Sequence, residues 1–359
     1  MTSFLKRAEW IVAGFLSAMI VFLLVVRLTH AGALWRDECA VVNLARMPSI
    51  TEIARNFQHE AFPVPFPLFV RAYTNIFGSN DVALRSFGFL AGLAVLSAIW
   101  ITARLIGRGP PLIALALLGL NATFLFWATT VRGYGLGSAF IILAFGLMAA
   151  LVSERSRSRI ISTALVSAVA VQCLVHNLAL VAALTISAGA VSLLRHDFKR
   201  LIIFLGILAL CFISFLPYLS AYSNSWSQVV EFPVTARFLW NQFNFALGNP
   251  NPGIAFVWHV AFLVLLGAAS WKLWRSRSNK QDHDWNLLLF ASLAIIAAAI
   301  AYYEFLQTLS YLARSWYFLA LISLLAVALD SLSAVLSNQK WIRIGRLAFA
   351  VIADRKSVV

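Results

Sequence analysis

Apolar residues run through this chain in long blocks, and short polar clusters separate the blocks. Blocks of roughly 18 residues or more are long enough to cross a bilayer as a helix. They fall at residues 10–28, 82–103, 112–129, 136–152, 201–219, 254–271, 286–303 and 316–336. The stretch 160–194 is too long for one helix and is interrupted by Gln172, His176 and Asn177, so it reads as two spans that turn near His176-Asn177. Barrel strands would alternate in short segments instead. The pattern predicts an all-α polytopic membrane protein with about 10–11 transmembrane helices.

Three longer polar stretches stand between spans, at 29–81, 220–253 and 304–315. Within the first, residues 40–46 and 50–57 carry apolar positions at helical spacing with charges on the other face. Helices lying in the membrane interface look like this. The final apolar piece, 347–353, is too short to span, and a chain cut short at its C-terminus is one reading of that ending. Residues 1–359 then form one transmembrane domain.

Composition agrees: 61% of residues are hydrophobic and 12% charged. A net charge of +14 invites a nucleic-acid reading, but the charges lie in short clusters between apolar runs. With the N-terminus inside, every even-numbered span ends in a basic cluster on the inner face, and Lys6, Lys199, Lys272, Lys280 and Lys340 all fall there. The first span, preceded by Lys6-Arg7, reads as uncleaved, since a signal peptide has a shorter apolar core. Cys39, Cys173 and Cys211 form no disulfide framework or zinc spacing.

The outer face carries only arginine: Arg36, Arg46, Arg55, Arg71, Arg85, Arg132, Arg237 and Arg314. Translocated loops normally avoid positive charge. Arginine's planar fork binds phosphate in bidentate fashion. The plain account, headgroup anchoring or pairing with Glu52, Glu60, Asp81 or Glu231, covers most of the eight and leaves two or three for phosphate.

The segment 34–107 resembles the opening of integral-membrane GT-C glycosyltransferases of the protein-mannosyltransferase and aminoarabinose-transferase type. The likeness rests on Trp35-Arg36-Asp37-Glu38-Cys39, on the prolines of His59-Glu60-Ala61-Phe62-Pro63-Val64-Pro65-Phe66-Pro67, on Phe77-Gly78 and on Ala83-Leu84-Arg85. Later, Trp127–Tyr134, Val175-His176-Asn177 and Tyr311–Tyr317 resemble the family's aromatic turn, outer histidine and late Arg-Tyr step. Thr130 and Gly133 stand where relatives often carry glutamate and proline.

The resemblance implies transfer of a sugar from a polyprenyl-phosphate donor to a lipid, glycan or protein acceptor, on the outer face of the plasma membrane. Such a reaction needs a base for the acceptor hydroxyl, cations for the departing phosphate and an apolar groove for the lipid. Asp37 is the candidate base, and Glu38 its helper. Helix capping is the plain alternative for both, since carboxylates favour helix N-termini. His59, Glu60, Arg132, Tyr134, His176 and Arg314 are candidates for binding substrate. His59, Glu60 and His176 offer nitrogen and oxygen ligands for a divalent ion, although no metal motif is present. Expected partners are the lipid-linked donor and membrane lipids, with no nucleic acid. A transporter or flippase, and a ligase of the O-antigen type, are the rival readings. A transporter would carry charges near the middle of its spans.

Overall fold

The computed structural model describes residues 2–57, 60, 62–219, 234–248, 251–276, 282–308, 312–337 and 340–357. Their regular structure is entirely helical, with sixteen α-helices. Among the described residues, eight helices are long and apolar enough to cross a membrane. They match eight of the ten spans expected from the sequence. These eight are α1 (Thr2–His30), α5 (Asp81–Ile106), α8 (Gly133–Ser153), α10 (Asn177–Leu194), α11 (Phe198–Phe215), α13 (Pro252–Arg275), α14 (His283–Thr308) and α15 (Leu319–Leu336, entered through a 3-10 turn at Ser315–Phe318). The chain is therefore a polytopic all-α membrane protein. α15 is its pillar, buried along its whole length, while α1, α11 and α13 form the outer ring.

Two expected spans depart from single long helices. The fifth is α9 (Arg157–Cys173), of 17 residues. The third is broken into α6 (Leu112–Gly119) and α7 (Ala122–Ala128). Asn121 causes the break. Its side-chain oxygen accepts from the Phe124 N–H at 2.8 Å, restarting the helix as an N-cap. Its amide donates to the Ala246 and Leu247 carbonyls, at 2.9 and 3.1 Å, at the end of α12 (Ala236–Gly248). A buried asparagine inside an apolar run thus finds partners for both ends of its amide.

The first polar stretch folds into α2 (Arg36–Ala45), α3 (Ile50–Asn56) and α4 (Pro65–Phe77). α2 begins four residues before the expected helix, so Asp37 and Glu38 fall in its first turn. α4 lies outside the two stretches that hydrophobic spacing marks as helical in the sequence. Its prolines sit in the first turn, where a missing N–H costs no helical bond. The three helices enclose a small apolar core of their own, with Val41, Ile53, Phe62, Phe66, Val70 and Val131 in it. On α4, Arg71 donates to the Ala45 carbonyl at 2.7 Å and to the Met47 carbonyl, capping the end of α2.

The opposite end of the bundle holds basic clusters that bind helix ends. Arg159 and Arg195 reach the carbonyls of Ala150 and Val152 at the end of α8, at 3.3 and 3.0 Å, and Arg200 joins Arg195 on Val152. A helix C-terminus favours such cations. The last helix, α16 (Lys340–Ser357), packs beside α1 and α6.

Candidate active site

Glu38 organises the polar end of the bundle. It is 1% exposed. From the first turn of α2 its Oε2 accepts the Trp35 N–H at 3.0 Å. Arg85, five positions into α5, grips both carboxylate oxygens at 3.0 and 3.2 Å. The Val131 N–H donates to Oε1 at 2.9 Å. Arg85 also binds the Gly32 carbonyl at 3.2 Å and that of Ala33. One carboxylate thereby joins the end of the α1 linker, α2, α5 and the turn before α8.

Asp37 lies one residue earlier and points elsewhere. Its carboxylate is 24% exposed and takes one hydrogen bond, from Arg36 Nε at 3.0 Å. The Arg36 side chain is almost fully exposed. Asp37 therefore keeps accessible oxygen, whereas Glu38 has none.

Arg132 stands at the N-cap of α8. The chain can place it there because Gly133 packs backbone against backbone: a Cβ on Gly133 would lie 2.1 Å from the Cys173 carbonyl oxygen. Arg132 Nη1 donates to the Asp37 carbonyl at 3.1 Å and to Glu60 Oε2 at 2.5 Å. Its guanidinium lies over the rings of Phe62 and Tyr134, with centroids 5.1 and 5.9 Å away. Burial opposes the charge on Arg132. The Tyr134 oxygen and the Glu60 and Asp37 carboxylates outweigh that effect and hold its pKa above the usual guanidinium value.

His176 precedes α10 and is fully buried among aromatic rings. Those of Tyr317, Phe305 and Tyr302 lie 5.1, 5.7 and 6.4 Å from it. Neither ring nitrogen has a hydrogen-bond partner among the described residues. Burial, and secondarily the charge of Arg132, push its pKa down to about 3, so the imidazole is neutral. Arg314 is exposed at the start of the 3-10 turn and makes no ion pair among the described residues. His59, Glu231 and Tyr311 lie outside the described residues.

Of the eight outer arginines, Arg36, Arg46, Arg71, Arg85 and Arg132 bond to protein groups. Of the acids expected to pair with them, Glu60 is met by Arg132; Arg36 and Arg85 pair instead with Asp37 and Glu38, Arg46 bonds Ser79 and Arg71 bonds backbone carbonyls. Among the described residues, no three His, Cys, Asp or Glu side chains gather as metal ligands.

Three tryptophans stand beside this cluster, each within a family-like segment of the sequence but given no role there. Trp35, Trp127 and Trp316 come from three distant segments. Their ring centroids are 5.1 Å apart for Trp35–Trp127, 6.0 Å for Trp35–Trp316 and 4.3 Å for Trp127–Trp316. Their placement one or two residues from Asp37, Arg314 and the turn before Arg132 was the available signal. Beyond His176, a cavity of about 530 Å³ opens between α12, α14 and α15. Leu239, Trp240, Phe243, Ile300 and Leu325 give it an apolar wall, with Glu304 its acidic residue. Tyr302 and Phe318 are shared by the cavity and the aromatic surround of the site.

Fold and site together define a polytopic all-α membrane protein with a polar cluster at one end of the bundle and an apolar cavity beside it. The fold is similar to that in the crystal structure of ArnT from Cupriavidus metallidurans bound to undecaprenyl phosphate, with a TM-score of 0.56 at 16% sequence identity. The match covers 94% of this chain and 62% of that one. No protein-family model and no curated protein matches the sequence.

Proposed function

We propose that the chain transfers a sugar from a polyprenyl-phosphate donor to an acceptor hydroxyl at the outer face of the plasma membrane. The observation that carries this reading is the cluster in which Arg132 bonds both Glu60 and the Asp37 backbone, leaving the Asp37 carboxylate accessible. The fold shared with ArnT, whose structure holds undecaprenyl phosphate, supports the choice of donor. The lysine-bearing helix ends lie at the other end of the bundle, which supports an outer site by the positive-inside rule.

The chemistry divides among these residues. The Asp37 carboxylate takes the acceptor proton as that oxygen attacks the anomeric carbon. The bond from the anomeric carbon to the phosphate oxygen breaks, and polyprenyl phosphate leaves with the bonding pair. Arg314, exposed and unpaired among the described residues, binds the phosphate, and Arg132 adds a fixed positive charge. The apolar cavity takes the first isoprene units. Glu38 holds the frame and stays out of the chemistry, because its oxygens already accept from Arg85, Trp35 and Val131. His176, neutral and ringed by aromatics, packs against Tyr302 of the cavity wall and against Tyr317.

The test is turnover of purified protein in lipid nanodiscs with a polyprenyl-phosphate sugar. Asp37→Asn should lower transfer by about 10²–10⁴, the usual contribution of a general base, with the melting temperature unchanged. Full turnover in that variant would sink the mechanism.

A further inference from the structure

Aromatic rings form an unbroken wall across the site. Phe126 packs on Trp127 at 4.9 Å, Trp127 on Trp316 at 4.3 Å, Trp316 on Tyr317 at 6.5 Å and Tyr317 on His176 at 5.1 Å. At one end Arg27 lies over Phe126, 4.3 Å from the ring centroid. At the other, His176 leads to the cavity through Tyr302. Trp35 stands nearly perpendicular to Trp127 and Trp316, at 71° and 75°, and it is two residues from Asp37. None of the three tryptophans is fully buried.

Tryptophans that anchor a protein at the bilayer interface stand as an outward-facing belt. These three come from the α1–α2 linker, α7 and the turn before α15, and they meet one another where the chain enters the helix that carries Asp37. The Trp35 Nε1–H is buried and has no acceptor among the described residues. A buried donor without a partner is uncommon, and a ligand acceptor resolves it.

We propose that the Trp35–Trp127–Trp316 wall is the acceptor subsite, and that the acceptor is a carbohydrate ring. This rests on the glycosyl-transfer reading of Asp37. The negative face of an indole attracts the positively polarised C–H face of a pyranose, as it does the edge of another ring. The ring's hydroxyls then project sideways, one toward the Asp37 carboxylate and another within reach of the Trp35 indole. The donor's lipid already has a place, because the apolar cavity lies at the opposite end of the wall. An acyl chain on the tryptophans would leave the Trp35 N–H unpaired, which a sugar hydroxyl does not.

The test needs no donor. Wild-type protein in nanodiscs is mixed with a panel of methyl hexosides, and saturation transfer from protein to sugar is measured by NMR. Saturation should concentrate on the ring C–H protons of at least one hexoside. Trp127→Ala and Trp316→Ala should weaken that binding roughly tenfold, and Trp316→Phe should recover part of it. Melting temperatures identify a variant that has not folded, in which case Trp127→Phe and Trp316→Phe decide, each binding more weakly than wild type. Equal saturation in wild type and variants, or none with any hexoside, overturns the subsite. With a competent donor, the same substitutions should raise the acceptor KM and leave the donor KM alone; the reverse pattern also overturns it. Sugar binding that depends on the tryptophans, without any transfer, upholds the subsite and defeats the glycosyl-transfer reading instead.

Discussion

Arg85 grips both oxygens of Glu38 across 47 positions of sequence, at 3.0 and 3.2 Å, and both side chains are almost fully buried. The adjacent Asp37 is the residue left with accessible oxygen. Adjacent carboxylates therefore have different tasks. Removing one partner of a buried pair leaves an uncompensated charge and typically costs about 3–5 kcal/mol. Glu38→Ala or Arg85→Ala should lower the thermal midpoint markedly and lose activity through the fold. Asp37→Asn should lose activity with its midpoint intact. Equal midpoints for Glu38→Ala and Asp37→Asn would remove the division of labour.

Much of this arrangement was legible along the chain, and the rest was not for identifiable reasons. The long spans are readable because a helix in hydrocarbon must be apolar over its full length. The break at Asn121 was hidden, since its partners Ala246 and Leu247 lie 125 and 126 residues away. α4 was not among the helices marked by hydrophobic spacing, although its prolines suit the first turn of a helix and Gly78 its end. Asp37, Glu60, Arg132 and His176 stood out as polar residues at span ends. Which of them are satisfied by protein partners was not legible, because Arg132 meets Glu60 across 72 positions and Glu38 meets Val131 across 93.

The turn before α8 has no room for side-chain volume. A Cβ on Gly133 would sit 2.1 Å from the Cys173 carbonyl oxygen, a backbone atom that cannot rotate away. Gly133→Ala should therefore destabilise by about 1–3 kcal/mol, the range for overpacking a tight site. It should also displace Arg132, so donor affinity should fall. A stability and donor KM equal to wild type would mean that α8 and α9 separate without consequence.

His176 gives the fold an acid-sensitive element. Its pKa is lowered to about 3 by burial, then by Arg132, against about 6.5 when unfolded. Above about pH 6.5 both states hold it neutral and it imposes no penalty. As pH falls from there toward 3, the unfolded chain takes up a proton that the folded one refuses. Stability then drops by up to about 1.4 kcal/mol per pH unit. His176→Phe should flatten this acid limb. Thermal midpoints at pH 7.5 and 5 for both proteins measure it, and parallel losses would assign the acid limb to other groups.

The opposite end of the bundle has a second buried network, and it fastens the last helix. Glu9 of α1 accepts from Arg343 at 2.7 Å and from Arg346 at 3.1 Å. Arg346 also donates to the Pro110 carbonyl at 3.0 Å and lies 3.7 Å from Asp330 of α15. Asp330 in turn accepts the Ile113 N–H of α6 at 2.8 Å. Four helices thus meet on two acids and two arginines, with Glu9, Arg346 and Asp330 all buried. Among the described residues, both arginines bond to α1 through Glu9. Glu9→Gln would leave two guanidiniums facing a neutral amide, and a broken buried pair costs about 3–5 kcal/mol. That loosens the first turns of α16 at Arg343, which has no bond to Asp330 or Pro110, while Arg346 keeps its contacts with both. Hydrogen exchange over residues 340–350 should accelerate in Glu9→Gln while α2 and α8 keep their protection, since Asp37 and Arg132 lie at the far end of the bundle. Unchanged exchange in 340–350 would show that apolar packing against α1 and α6 holds the helix without the ion pairs.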